Sequence, residues 1–292
     1  MRWATRWPRT EETVIGHYDK ARELANSLLA EAPGNQEFHL LLARTHRISA
    51  QYMFLSAKPE VATEQIGLAT EILDRLSTEF FEVPNYRLEL IEANLLVAKH
   101  HSGLHAAEAR CAVAVARSKE LVGQYPDVPR YHAVTVRALR EHGKLLQKLA
   151  AVVDPDSKSK TKLLRRAREA LTASIAACEQ LRQHAPLANQ HVIELLETRI
   201  AVARLAMDSE DHRGARKILE QAMGESEDTP EGMVLLSRRS RLYRELSNVF
   251  SDLGDSALAH EARSVANATG REAFRQVMVQ GVMFLTSRLW QR

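Results

Sequence analysis

Two stretches, FFEVPNYRLEL at residues 80–90 and YPDVPRYHAVT at residues 125–135, decide the fold of this chain of 292 residues. In each stretch a proline stands two residues before a tyrosine. Proline lacks a backbone N–H and fixes φ, so it is favoured in the first turn of a helix and disfavoured inside one. Each stretch therefore predicts that one helix ends and the next begins at its proline.

The residues around these turns repeat four times along the chain. The turn residues Pro33, Phe81, Pro126 and Pro186 are preceded by residues at the same spacings of 15, 12 and 5 positions. These preceding residues are Tyr18, Ala21 and Leu28, then Ile66, Ala69 and Leu76, then Cys111, Ala114 and Leu121, and then Leu171, Ser174 and Leu181. Seventeen positions after each turn residue stands a small residue, namely Ala50, Ala98, Gly143 and Ala203. Small residues at fixed positions allow two helices to approach closely, so the pattern predicts a repeated pair of packed helices.

The composition favours an all-helical chain. Glycine accounts for 12 residues, proline for 9 and aromatic residues for only 5% of the total, which is too few turn and strand formers for a β-sandwich or barrel. Apolar residues recur at intervals of three and four, which is the helical period. The sequence predicts an all-α, helical-hairpin repeat solenoid of about twelve helices. The first is expected to be capped by Thr10, and the last two to span 255–268 and 272–289.

The expected organisation has three parts. Residues 1–9 form a basic N-terminal tail, 10–270 form the repeat array with a polar insertion near 154–162, and 271–292 form a C-terminal capping helix. A helical repeat buries its apolar face only against its neighbours, so an array needs caps. The last helix is apolar nearly all round, which leaves open whether it is a cap or an interface.

Residues 240–266 resemble the tetratricopeptide repeat (TPR). The bulky, small and turn residues at the spacings of that motif are Tyr243, Leu246, Ser247, Phe250, Gly254, Ala259 and Ala266. The proline that the motif places five residues later is replaced by Arg271, and Glu210 stands at the turn of the preceding unit, where the motif has glycine. The resemblance implies a TPR-like array of extended, degenerate repeats.

The front units, with their YPDVPRYH-type turns, also resemble the repeat regions of large bacterial regulatory proteins, notably those of planctomycetes. In such proteins these regions sit beside serine/threonine kinase or anti-sigma-type modules, and this sequence contains the motifs of neither. The resemblance implies a non-catalytic scaffold that binds a protein or peptide, as an accessory to a bacterial signalling or transcription-regulatory system. The identity of the partner and the oligomeric state are left open.

In TPR proteins, particular positions of the first helix line the concave face of the array. Carried over residue by residue, those positions are Arg241, Arg244, Asn248 and Asp252, together with Arg204 in the preceding unit. Arginine can bind a carboxylate through two parallel hydrogen bonds, so this face can hold an acidic segment or a C-terminus. The alternative is that these arginines are simply exposed to solvent.

No catalytic, cofactor-binding or metal-binding residue is predicted, so we expect that the protein is not an enzyme. Its one histidine cluster, His100, His101 and His105, is interrupted by Gly103 at a predicted helix break, so the imidazoles do not share one continuous face. The sequence has no glycine-rich loop of the kind that binds nucleotides. A site formed between helices by residues distant in sequence is left open.

The alternative function is nucleic-acid binding through the basic stretch 158–168. The positive residues of this stretch are Lys158, Lys160, Lys162, Arg165, Arg166 and Arg168. Such residues neutralise phosphates and give binding that weakens as salt rises. Aromatic residues that would stack on bases are missing around the stretch, and the formal net charge is only +3, so nucleic acid is the less favoured partner.

We expect a cytoplasmic protein that does not cross a membrane. The best apolar stretch, at 277–285, is far shorter than the roughly 20 residues that a membrane-spanning helix needs. Cys111 and Cys178 lie far apart in helical segments, so they are predicted to be packing residues in a reducing compartment.

Overall fold

The structure is a computed structural model that describes residues 7–100, 103–154, 157–184, 190–226 and 233–289. Within these ranges it contains eleven α-helices and no strand. The helices are α1 (Trp7–Glu31), α2 (Gln36–Leu55), α3 (Pro59–Glu79), α4 (Pro84–His100), α5 (Leu104–Gln124), α6 (Pro129–Val152), α7 (Lys158–His184), α8 (Gln190–Asp208), α9 (His212–Ser226), α10 (Met233–Asp252) and α11 (Ser256–Leu289). The predicted all-α class is confirmed, and helices begin at Pro59, Pro84 and Pro129.

The helices from α2 onward pair into five hairpins, α2–α3, α4–α5, α6–α7, α8–α9 and α10–α11. The even-numbered helix is the first helix of each hairpin. The chain divides into two compact units, residues 1–126 and 127–292. In the first unit, α2 contacts α4; in the second, α6 contacts α8 and α8 contacts α10, so first helices follow one another within each unit. This is the helical-hairpin repeat that the sequence predicts.

The repeat positions found in the sequence form the core of the first unit. Ile66, Ala69 and Leu76, which precede the turn at Phe81, are all buried in one cluster between α2, α3 and α4. Ala50 and Tyr86, which follow the turns, are buried in the same cluster. Each fully buried large side chain contributes about 1.5–3 kcal/mol to stability. The regularly spaced residues of the first unit are therefore the ones that pack between its helices.

The small residue of the α6–α7 hairpin stands where the two helices meet closely. A Cβ atom added at Gly143 on α6 would lie 2.6 Å from Cγ of Leu171 and 3.2 Å from the carbonyl oxygen of Ala167, both on α7. Ala50 and Ala203, at the same repeat position, are fully buried. The close approach of two helices that the small residues predict is seen at Gly143.

Three hairpins share one turn geometry. Ala57, Glu210 and Gly254 all have positive φ, at 54°, 60° and 77°. They stand seven residues after Ala50, Ala203 and Ser247, which is the small residue of the α10–α11 hairpin. In each hairpin, the next backbone N–H donates to the carbonyl five residues earlier at 2.9 Å, as from Lys58 to Met53. Glu210 therefore adopts the left-handed conformation that the TPR motif gives to glycine, in spite of its side chain.

Two predicted helix boundaries are wrong. The last two predicted helices form one helix, α11, because no proline follows Pro230 and a single glycine, Gly270, costs a helix only about 1 kcal/mol. The count is therefore eleven rather than twelve among the described residues. Helix α1 begins at Trp7, three residues before the predicted cap Thr10, because Pro8 is well suited to the first turn of a helix.

The division into tail, array and cap remains a prediction. Residues 1–6, the turn at Pro186 and the loop 227–232 lie outside the described residues, as does part of the polar insertion, 155–156. The apolar side chains that suggest a cap or an interface lie beyond residue 272, where the structure describes the helix but not its side chains.

Candidate functional site

The predicted binding residues lie together on one exposed surface of the second unit. Arg241, Arg244, Asn248 and Asp252 follow one another at intervals of three or four along α10, and all four are exposed. The fifth residue, Arg204, is exposed on α8, which packs against α10. We call these five residues the α10 face.

The opposite side of α10 is anchored in the core. Tyr243, Leu246 and Phe250 are buried between α8, α9 and α11. The hydroxyl of Ser240 donates to the carbonyl of Ala266, and that of Ser247 donates to the carbonyl of Ala259, both at 2.8 Å. Because α10 is fixed to α11 by packing and by these hydrogen bonds, it presents the α10 face on a firm support.

A glutamate that the sequence analysis missed links two arginines of the α10 face. Oε1 of Glu245 lies 3.7 Å from Nε of Arg241, and Oε2 lies 3.8 Å from Nη2 of Arg204. Half-exposed pairs at these distances are worth well under about 1 kcal/mol, so they leave the arginines available to a stronger acceptor. The spacing of four residues between Arg241 and Glu245 is the signal that could have identified the pair from sequence.

Arg244 has contacts within its own helix. Its Nε donates to the backbone oxygen of Ser240 at 3.4 Å, and its Nη2 donates to the Ser240 hydroxyl at 3.3 Å. Both bonds are long for a guanidinium donor, whose charge-assisted bonds are typically about 2.7–2.9 Å. The guanidinium is therefore held near the surface by weak bonds.

Arginine pairs on two other first helices are engaged with buried glutamates. In the first unit, Nε of Arg44 donates to Glu89 at 2.9 Å and Nη2 of Arg47 donates to the same carboxylate at 3.0 Å. The side chain of Glu89, on α4, is only 2% exposed. A buried carboxylate is costly unless it is paired and hydrogen-bonded, and these two guanidinium groups satisfy it.

The second unit contains the corresponding contact. Nη1 of Arg140, on α6, donates to Oε2 of Glu194 on α8 at 2.6 Å, and its Nη2 lies 2.6 Å from Glu197. The side chains of Arg140 and Glu194 are 4% and 1% exposed. Burial acts to lower the pKa of Arg140, but Glu194, Glu197 and Glu141 outweigh it and raise the pKa above its ordinary value. The guanidinium is therefore charged at every accessible pH.

The cysteines are packing residues, as predicted. Cys111 and Cys178 are buried and form no disulfide. Burial, reinforced by the charge of Glu194, raises the pKa of the Cys178 thiol to about 12, against an opposing contribution from Arg140. A thiol with this pKa is protonated at neutral pH, and the thiol form is a poor nucleophile.

In the part of the chain that the structure describes, several histidines contact other side chains, and the rings of His132 and His184 stack with centroids 4.7 Å apart. The ring of His100 stacks on Phe54, with centroids 3.9 Å apart, and His101 lies outside the described residues. Nδ1 of His46 lies 2.7 Å from Oε1 of Gln65, and burial lowers the pKa of His46. Among the described residues, no group of three His, Cys, Asp or Glu side chains is arranged to hold a metal ion.

A cleft in the second unit lies between the start of α9 and the α10–α11 turn. It has a volume of about 460 Å³, and its lining includes His212, Arg213 and Gly254. Arg216 also lines it, with Nη1 3.2 Å from Asp255 and Nε 2.8 Å from Glu220. Ion pairs within the protein already engage this arginine.

The basic stretch forms the first three turns of α7. The exposed basic residues are Lys158, Lys162, Arg165 and Arg168, and Arg165 lies 3.7 Å from Glu169 on the same helix. In the described part of the chain, none of the helices combines the length and the apolarity that spanning a bilayer requires.

Comparisons with known proteins identify the fold and no family. No protein-family model and no curated protein matches the sequence. Among solved structures, BtubC (BKLC) from P. vanneervenii is 14% identical and covers 91% of this chain and 92% of its own, with a TM-score of 0.60. The likeness to BtubC shows that the two chains share the helical fold.

Two further structures match with lower similarity. A thermophilic TPR protein of Thermus thermophilus, TTC0263, is 16% identical over 82% of this chain and 96% of its own, with a TM-score of 0.43. The apo form of RapI is 10% identical over 89% of this chain and 99% of its own, with a TM-score of 0.42. At these scores the two matches support no statement about the function of this chain.

Proposed function

We propose that this protein is a non-catalytic scaffold that binds other proteins or peptides, and that the α10 face is its binding surface. The observation that carries the proposal is the row of exposed residues on a helix whose other side is locked in the core. A rigid helix that offers charged side chains in register is a suitable platform for recognition, because little ordering free energy is lost on binding.

The chemistry of the α10 face favours an acidic partner. Arg204, Arg241 and Arg244 are exposed, and their contacts at 3.3–3.8 Å are weak. A carboxylate of a partner can replace them with shorter, bidentate bonds. An acidic segment is therefore the partner that we propose, with cytoplasmic bacterial signalling or transcriptional regulation as its setting.

Affinity capture with matched charge reversals tests this function. We expect the wild-type chain to retain a specific protein, which crosslinking mass spectrometry should place on α10, and Arg241→Glu/Arg244→Glu to lose it. The control is Arg165→Glu/Arg168→Glu, because Arg165 has the same spacing, a similar exposure and a similar contact at 3.7 Å within its own helix. Equal capture by all three chains would contradict the proposal, as would turnover of a small-molecule substrate by the purified protein.

Nucleic-acid binding through 158–168 is the second candidate, because four basic side chains of this stretch are exposed on the first turns of α7. It predicts RNA or DNA binding whose logarithmic affinity falls linearly with the logarithm of salt concentration. The variant Arg165→Glu/Arg168→Glu should then lose binding while Arg241→Glu/Arg244→Glu retains it. The absence of binding at low salt would exclude this candidate.

A further inference from the structure

Arginine pairs occupy one repeat position on three first helices. They stand 11 and 14 residues after Pro33, Pro126 and Pro230, and they are Arg44 and Arg47 on α2, Arg137 and Arg140 on α6, and Arg241 and Arg244 on α10. The first helices that intervene carry glutamates 8 and 11 residues after Phe81 and Pro186, and these are Glu89 and Glu92 on α4, and Glu194 and Glu197 on α8. First helices thus alternate between R-x-x-R and E-x-x-E.

In both units the alternation has the same structural meaning. The arginine pair of one first helix contacts a buried glutamate of the next first helix, at 2.9–3.0 Å for Glu89 and at 2.6 Å for Glu194 from Arg140. The glutamate stands at the same repeat position on α4 and on α8. An R-x-x-R first helix is therefore followed, wherever the structure describes its successor, by a glutamate that fits between the guanidinium groups.

The arginine pair on α10 has the same R-x-x-R sequence, but the described residues contain no following first helix that would offer it a glutamate. Arg241 is 75% exposed, whereas Arg44 and Arg137, at the same repeat position, are 34% and 29% exposed. Helix α11 continues through Arg271, where the TPR motif would turn, and runs to Leu289. Within the described residues, no first helix therefore stands beside α10 in the place that α4 takes beside α2.

We propose that Arg241 and Arg244 dock a helix of a partner protein that carries glutamates in an E-x-x-E arrangement, in the place of a next first helix. This inference rests on the proposed function and narrows its acidic segment to a helix. Glutamates three residues apart lie on one helix face, which matches arginines three residues apart on α10. In an extended peptide, side chains three residues apart point to opposite sides, and the match is lost.

The occupant is a partner protein and not a second copy of this chain. A second copy added end to end would bring α2, whose residues at the glutamate positions are Leu41 and Arg44. Arg44 would repel the α10 pair. The glutamates Glu89 and Glu194 of a folded copy are buried and held by their own arginines, so they are not accessible either.

A peptide experiment tests the inference on the full chain. The probe is a blocked peptide with the sequence of residues 190–208, which carries Glu194 and Glu197, stapled into a helix on the face opposite the two glutamates. Two further peptides keep the length: one has Glu194→Gln and Glu197→Gln, and one keeps both glutamates but has Leu195→Pro, which breaks the helix.

We expect the stapled peptide to bind the wild-type chain, and to bind about tenfold or more weakly to Arg241→Gln/Arg244→Gln. The control Arg165→Gln/Arg168→Gln should bind it as the wild type does, and both altered peptides should bind about tenfold more weakly than the stapled one. Circular dichroism melting should show that both protein variants are folded, since all four arginines lie on the surface.

Three results would overturn the inference. Equal binding of the peptide that contains proline would mean that acidity matters but helical structure does not, which leaves the proposed function intact. Binding that is unaffected by the substitutions on α10 would mean that the peptide binds at a different place, by displacing α8, whose sequence it shares. The absence of any binding would overturn the helix proposal. The proposed function would be overturned only if the wild-type chain and both charge-reversal variants captured protein equally in the separate experiment above.

Discussion

At the scale of single residues, the most informative side chains are the buried glutamates and the arginines that hold them. The contact between Arg140 and Glu194 joins residues 54 positions apart and removes both charges from water. Taking charge out of water is costly, so such a pair specifies the packing of α6 against α8 more than it adds net stability. The importance of this pair for stability shows when one of its two residues is replaced.

Arg140→Ala is therefore expected to lower the free energy of unfolding by about 3–5 kcal/mol, because Glu194 would remain buried without its closest partner. Urea unfolding followed by circular dichroism measures this change. The control is Arg165→Ala, which removes an exposed arginine of the same unit and should leave the midpoint unchanged. Equal effects of the two substitutions would contradict the assignment of a buried, supporting role to Arg140.

Cys178 predicts a dependence of stability on pH. Burial raises the pKa of the folded thiol to about 12, above the ordinary value of 9.0. Because the folded pKa is the higher one, this contribution to stability is complete below pH 9 and is lost as pH rises from 9 towards 12, by at most about 1.4 kcal/mol per pH unit.

Unfolding of the wild type and of Cys178→Ala at pH 8.5 and pH 10.5 isolates this effect, since other titrating groups are common to both. We expect the wild type to lose about 1–2 kcal/mol more than the variant between these two pH values. Equal losses of stability in the two proteins would show that burial does not raise the pKa of the Cys178 thiol.

The sequence located the exposed arginines better than the buried charges. Arg241 and Arg244 follow from the resemblance to the TPR frame, and the structure places both on one exposed face. Glu245 was recognisable from its spacing to Arg241. Arg140 and Glu194 could not be paired from sequence, because their contact depends on how α6 and α8 pack, and local spacing carries no such information.

At the scale of elements, the hairpin turns hold measurable strain. Ala57 and Glu210 adopt the left-handed conformation that Gly254 adopts without steric conflict. We expect Glu210→Gly and Ala57→Gly each to raise the free energy of unfolding, by about 0.5–1 kcal/mol, because the relief of strain exceeds the added freedom of the unfolded chain. Gly254→Ala should lower it by about 1 kcal/mol. Thermal melts of the three variants check this, and the same sign of effect in all three would contradict it.

Alanine substitutions at two helical glycines are expected to change the stability in opposite directions. Gly143→Ala would place a Cβ atom 2.6 Å from Leu171 and should destabilise the protein by about 1–3 kcal/mol through overpacking. Gly67→Ala meets no atom within 4 Å and should stabilise α3 by about 0.5–1 kcal/mol. Differential scanning calorimetry measures both. If Gly143→Ala left the stability unchanged, α6 and α7 would have to move apart at no cost in free energy.

Helix starts were predictable at the prolines in the middle of the chain. Pro59, Pro84 and Pro129 begin helices as expected. The predicted break near Gly270 is absent because a glycine alone is too weak a breaker to end a helix that continues to pack. The periodicity of apolar residues thus predicts well that a segment is helical. It does not predict where the helix ends unless a strong helix breaker such as proline is present.

At the scale of the whole molecule, each of the two compact units contains an arginine-bearing first helix followed by a glutamate-bearing one. The helical class and the repeat follow from the spacing of apolar and small residues, since these positions are the ones that pack. The alternation of charge does not follow from that spacing, because charged residues most often lie on solvated helix faces. It became visible only when the contacts placed Glu89 and Glu194 in the core.

The most direct measurement of the central claim is hydrogen–deuterium exchange of the full chain with and without its captured protein partner. A scaffold that binds through the α10 face should show slowed exchange in residues 233–252 and unchanged exchange in residues 158–168. Protection confined to 158–168, with α10 unchanged, would contradict the account and point to the basic stretch as the binding surface.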